Sequence, residues 1–262
     1  MKFPLRLSLD LLSSRITRAL DGGRDNATIF HLSPPAFSST NQEEIDAESD
    51  PNAAVMKIPA NIASQTTAPI FWVGGDAEGD EPLLHPVIGR IAGALNKTGR
   101  NVFLHTNGLR LRKRMHEFRP DPRLFLTVEL AGRAEVHDQV VARPGCFVRV
   151  MEGIRAAKLS GFHVCAHVTV NSQTDVCETG ELFEYLDNYD VDGFIVSSGG
   201  GLVESASHNE LQKKLQEIRA LVRCSRWEYF SSLLENSYAA PRAGKAPLPA
   251  PQSDAGACKE TA

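Results

Sequence analysis

The sequence predicts an α/β fold built on a parallel sheet, and three observations carry that expectation. Short runs rich in β-branched and aromatic residues recur at intervals of about thirty residues from Pro69 onward. Helix-length stretches with spaced apolar residues lie between them. Gly and Pro punctuate the junctions, with Gly99 and Gly161 where helices should stop and Pro120-Asp121-Pro122 ahead of a strand. Such alternation means βαβ units, hence parallel strands joined by right-handed crossovers.

The N-terminal unit, residues 1–27, reads as an amphipathic helix. Leu5, Leu9, Leu12, Ile16 and Leu20 recur at helical spacing, with Arg6, Asp10, Arg15 and Arg18 between them. That apolar stripe either packs across the body of the domain or lies on a lipid surface, where the basic residues would suit anionic headgroups. The core, residues 28–236, opens with a strand at Thr28–Leu32. Residues 33 to 66 run polar, with an acidic patch from Glu43 to Asp50, and read as a loop with at most a short helix. Strands are then predicted at Ile70–Val73, Asn101–His105, Leu124–Leu130, Phe162–Val170 and Gly193–Ser197. Helices are predicted at Leu83–Asn96, Leu109–Phe118, Cys146–Leu159, Gly180–Asn188 and Asn209–Leu221. A six-stranded open sheet and a partial barrel share this pattern. Residues 237–262 are Ala/Pro-rich with few large apolar side chains, the composition of a disordered tail.

Composition excludes some functions. A formal net charge of −4 argues against a nucleic-acid binder, which ordinarily carries a basic face. No run of about 18 apolar residues is long enough to span a membrane, and the first residues lack a signal peptide's apolar region, so a cytoplasmic location is expected, membrane-peripheral if the N-terminal helix meets lipid. The five cysteines (Cys146, Cys165, Cys177, Cys224 and Cys258) are scattered without CxxC spacing, which points to reduced thiols rather than a disulfide framework.

In parallel α/β architectures ligands bind beyond the carboxyl ends of the strands. Reading each exit gives the candidates: Gly74 and Gly75 through Gly79, Asp80, Glu81 and Pro82 after the second strand, Thr106 and Asn107 after the third, Glu129 at the fourth, Asn171 at the fifth and Ser197 at the sixth. His163, Cys165 and His167 alternate on one strand face, but same-face neighbours lie about 7 Å apart, too far for three donors to converge on one zinc. No metal site is therefore assigned, and no residue is given a catalytic role. The basic run Arg110, Arg112, Lys113 and Arg114 reads as a solvated helix face.

Four landmarks in order carry a family resemblance: Glu81-Pro82-Leu83-Leu84-His85-Pro86, then Thr106-Asn107-Gly108, then Val128-Glu129-Leu130-Ala131-Gly132 with Glu135, His137 and Asp138, then the helix from Phe147 to Ile154 leading to Gly161. From Ile70 to about Gly201 the chain resembles the core of radical S-adenosylmethionine (SAM) enzymes, with a likeness to the adenosyl-hopene transferase branch of hopanoid synthesis. The resemblance implies a partial (β/α)6 barrel in which the 79–86 turn holds the methionine end of SAM. It also exposes departures. The family's CxxxCxxC loop would place its 4Fe-4S ligands near Ser38, Gln42 and Ile45, none of which offers a thiolate. Asp80 stands where the family has glycine, and no cysteine-rich C-terminal extension like that of the hopene branch follows. The expectation is a degenerate member that binds no cluster and has no required cofactor, with SAM binding left open. It would act as a binding or partner subunit, for a lipid-pathway enzyme or at a membrane surface through the N-terminal helix. Two readings remain beside it: an active enzyme with a cluster held by Cys146 or Cys165, and an iron-free SAM- or nucleotide-binding enzyme.

Overall fold

The computed structural model describes residues 3–20, 28–33, 66–74, 81–198, 205–239 and 245–247. Helix α1 spans Leu5–Leu20; strands β1 to β7 span Ile29–Ser33, Ile70–Val73, Asn101–Thr106, Leu124–Glu129, His163–Val170, Gly193–Ser198 and Lys245–Pro247. The later helices are α2 (Ile88–Lys97), α3 (Leu111–Arg114), α4 (Ala134–Val140), α5 (Cys146–Leu159), α6 (Val176–Asp187), α7 (Ser205–Leu221) and α8 (Ser225–Ala239). Two 3-10 turns, Pro82–Leu84 and Met115–Glu117, stand where the sequence predicts continuous helix. The Pro82 ring starts the first turn, and His85 and Phe118 end them in extended conformation.

Every strand pair is parallel, and the order is β6-β5-β4-β3-β2-β1-β7. That order decides between the two architectures left open by the sequence. A doubly wound open sheet reverses direction at a switch point; here β1 to β6 follow one another without reversal. Right-handed crossovers then put α2 to α6 on one face of the sheet, leaving the other face concave, as in a partial barrel. The helix-facing side is apolar, with Phe71, Val102, Leu104, Leu126, Val164 and Val168 all buried.

The concave face is closed by elements the sequence reading did not place there. Helix α8 crosses it from β6 to β1. Its Phe230 ring stacks on Phe103 at 4.7 Å, Phe103 stacks on Phe125 at 4.5 Å, and Trp227 meets Phe3 at 4.7 Å. Ser231 Oγ accepts from the Val196 amide on the open edge of β6, and Ser237 shares a 2.7 Å hydrogen bond with His31 of β1. The lower lumen is thus an aromatic core. Helix α1 lies under its floor, with Leu7 and Leu11 buried and Asp10 Oδ2 accepting from Asn101 Nδ2 at 2.7 Å.

Two expectations change here. The stripe Leu5, Leu9, Leu12 and Ile16 is not the packing face of α1; it is solvent-exposed, and Leu7 and Leu11 pack instead. The tail predicted to be unstructured contributes β7, which pairs with His31, Leu32 and Ser33 of β1 as a seventh strand. Most of the 33–66 loop, with Ser38, Gln42 and Ile45, and Cys258 lie outside the described residues.

Candidate functional site at the barrel mouth

The exits of β2 and β3 are joined by one carboxylate. Glu81 precedes the first 3-10 turn and is almost fully buried. Its Oε1 accepts from the Leu83 amide (2.9 Å) and Thr106 Oγ1 (2.7 Å), and its Oε2 from the Asn107 amide (2.7 Å). Thr106 Oγ1 in turn accepts from the Gly108 amide at 3.0 Å. Burial pushes the Glu81 carboxyl above its usual range, against hydrogen bonds from Thr106, Asn107 and Leu83 that favour the ionised form; the nearby charge of Glu129 adds to the rise. Gly108 has φ +76°, and a Cβ there would stand 2.8 Å from Val128 Cγ1, so the turn after Thr106 requires glycine.

Arg114 holds the same turn from the other side. It donates to the carbonyls of Leu83 (2.6 Å) and Pro86 (3.2 Å) and pairs with Glu117. The solvated-face reading therefore holds for Arg112, which pairs with Glu152 at the surface, but not for Arg114, whose side chain is 15% exposed. The sequence signal for Arg114 was masked by its basic neighbours.

Above the aromatic core, the concave face ends in a polar tier. Ser197 Oγ lies 2.8 Å from His167 Nε2, and His167 Nδ1 lies 3.0 Å from His105 Nε2. His105 Nε2 is 4.0 Å from Glu129 Oε2, and Glu129 Oε1 accepts from Thr169 Oγ1 at 3.2 Å. Strand register explains the juxtaposition: Glu129 pairs with His167, and Thr169 with Ser197. Burial lowers the pKa of His167 well below its usual value, with the charge of His105 adding to it; burial lowers His105 also, opposed by Glu129. Both rings are thereby held neutral near pH 7. Ser197, His167 and His105 thus form one hydrogen-bonded line, and the half-exposed Glu129 carboxylate stands 4.0 Å from its outer ring. Gly74 permits this tier: at φ +157° its missing Cβ would lie 2.7 Å from His105 Cβ.

Of the residues singled out from the sequence, Glu81, Thr106 and Asn107 form the first cluster, with Pro82 opening the turn. Glu129 and Ser197 belong to the polar tier, bordered by Gly74. Asn171 stands apart: its Oδ1 accepts from the amides of Gln173 (2.8 Å) and Thr174 (3.0 Å), a turn leading into α6. Gly75, Gly79 and Asp80 lie outside the described residues. His137 and Asp138 serve the scaffold: His137 is buried against the Ala131 amide, and Asp138 receives the Phe147 amide at 2.8 Å at the start of α5. His163, Cys165 and His167 share a strand face but not a centre. His163 meets Asp192 at the floor, Cys165 lies buried one step up, and His167 joins the upper tier. Among the described residues, no group of three His, Cys, Asp or Glu side chains could hold a metal ion. Sequence reasoning missed His105 and the pairing of His167, although alternation along β3 and β5 puts both on the concave side.

A scan of protein-family models and a search of curated proteins match nothing. Solved structures do match. Streptococcus suis SuiB bound to its precursor peptide SuiA superposes with TM-score 0.55 at 13% identity, covering 77% of this chain and 48% of SuiB. The same enzyme bound to S-adenosylmethionine gives TM-score 0.51 at 11% identity, over 72% and 43%. Archaeal TYW1 gives 0.50 at 15% identity, over 77% and 76%. The chain thus spans under half the length of SuiB. These neighbours are radical SAM superfamily members, and the fold of this protein matches that of radical SAM enzymes.

Proposed function

We propose that this protein is a cluster-free derivative of the radical SAM fold, acting as a non-catalytic binding or partner subunit. The observation that carries this reading is the donor set. The loop between β1 and β2, where the family resemblance places the cluster ligands, contains no cysteine, and iron–sulfur clusters are held by thiolates. The described thiols do not replace them. Cys165 points into the filled lumen, where burial pushes its pKa well above the usual thiol value. Cys146 opens α5 and is buried, Cys177 is exposed on α6, and Cys224 precedes α8. Glu81 acts as a latch within the turn, its carboxylate accepting from Leu83, Thr106 and Asn107. A link to hopanoid or other lipid synthesis rests on the sequence resemblance alone.

Anaerobic reconstitution with ferrous iron and sulfide tests the proposal. The expected result is less than about one iron per chain and no cluster absorbance; incorporation of about four irons, with cleavage of SAM, would overturn it.

One observation favours a second reading, iron-free binding of SAM or a nucleotide: the Ser197–His167–His105 line reaches the half-exposed Glu129 at the mouth. Titration calorimetry with SAM and with 5′-deoxyadenosine distinguishes it. Saturable heat lost in Glu129→Gln supports a ligand at this mouth, and no heat with either compound removes it.

A further inference from the structure

Helix α1 uses only one of its faces to pack. Leu7 and Leu11 are buried against the barrel floor, whereas Leu5 is 71% exposed, Leu9 56%, and Leu12 and Ile16 54% each. Their spacing puts these four on one stripe, with apolar area on the order of 300–400 Å², the range in which a monomer's largest apolar patch is often functional.

The charges around the stripe identify what fits it. At about 100° per residue, Arg6 lies roughly 90° to one side of the stripe and Arg15 roughly 90° to the other, and both are exposed. Arg226 of α8 lies on the same flank as Arg15, its Nη1 donating to Ser8 Oγ at 3.3 Å. Tyr229, partly exposed, lies beneath the Arg15 guanidinium at 5.0 Å. Asp10, the one acid in α1, is turned to the floor and bound by Asn101. Glu228 lies about 200° around α8 from Arg226, on its far side. An apolar stripe rimmed by arginines, with a tyrosine at the margin, is the surface of a helix lying in a lipid interface. No helix of the described residues is long and apolar enough to cross a membrane, so such contact is made at the surface.

We propose that α1 seats this protein on an anionic phospholipid surface. Leu5, Leu9, Leu12 and Ile16 enter the acyl boundary, while Arg6, Arg15 and Arg226 meet phosphates. The proposal is independent of whether a cluster is bound. It also orients the molecule: α1 lies under the floor, so the mouth with Glu129 faces away from the bilayer.

Co-sedimentation of the full chain with vesicles tests it. Wild type is expected to pellet with vesicles of phosphatidylcholine and phosphatidylglycerol at low salt, and far less with pure phosphatidylcholine or at high salt. Leu9→Ser with Ile16→Ser, at exposed positions, should weaken binding at least about tenfold with unchanged thermal unfolding. Arg6→Gln with Arg15→Gln should weaken it about thirtyfold, at ~1 kcal/mol per basic side chain. Failure of wild type to bind anionic vesicles, or equal binding by the serine variant, overturns the proposal. So does a solution dimer that the serine variant dissolves, since a second copy would then cover the stripe.

Discussion

Removing the Glu81 carboxylate tests whether the family-like turn is a structural latch or a ligand grip. In Glu81→Ala, three donors lose their acceptor: the Leu83 and Asn107 amides and the Thr106 hydroxyl. Each hydrogen bond to a carboxylate contributes about 1.5–3 kcal/mol, and the stranded Leu83 and Thr106 donors are buried. Part of that loss is offset, because the fold also penalises the buried charge, as the raised pKa shows. The net destabilisation should be about 2–4 kcal/mol. With a urea slope near 3 kcal/mol/M, the unfolding midpoint falls by about 1 M. Thr106→Val, which strands one Glu81 lone pair and the Gly108 amide, should fall by roughly half as much. Glu81→Gln supplies the pH control. A carboxyl whose folded pKa is raised stabilises fully below its unfolded value, near 4.5, and loses that contribution as pH rises through the folded value. Glutamine cannot titrate, so the variant should gain on wild type as pH rises above about 4.5. Urea titrations monitored by tryptophan fluorescence at several pH values measure all three. A Glu81→Ala midpoint within about 0.2 M of wild type would refute the latch.

Three further outcomes are expected. His167 and His105 have folded pKa values below the usual 6.5, so their contribution is present above that value and lost as pH falls through the folded ones; His167→Gln should flatten the loss of stability on acidification below pH 6.5. Gly108→Ala combines a left-handed backbone with a 2.8 Å clash on Val128 and should cost about 2–4 kcal/mol in denaturant unfolding. Phe230→Ala removes the α8 ring from the Phe103 stack and should cost about 3–5 kcal/mol, measured the same way.

The sheet was legible because its signals are local. Residues such as Ile70–Val73 and Cys146–Leu159 appear with the predicted bounds, since β-branched runs and helical periodicity act within a few residues. The missed elements depend on distant partners. α8 carries mixed polar and aromatic residues, and only the lumen explains why Trp227 and Phe230 are buried while Tyr229 is exposed. β7 has three residues and exists as a strand only beside β1. The α1 stripe misled for a related reason: periodicity finds an apolar face but does not say whether the fold covers it. At the mouth, Glu81 was found through its motif, whereas its engagement with Thr106 and Asn107 needed the approach of β2 to β3.

Helix α8 has a consequence for how the protein is made. Strands β1 to β6 and helices α2 to α6 are complete by Ser198, but the lumen receives Trp227 and Phe230 only after a further thirty or so residues emerge from the ribosome. Until then the Phe103–Phe125 stack and the edge of β6 lack their covering. The nascent chain is therefore an open trough with an apolar interior until α8 covers it. Truncation ahead of Ser225 should yield an aggregation-prone product rather than a smaller stable domain.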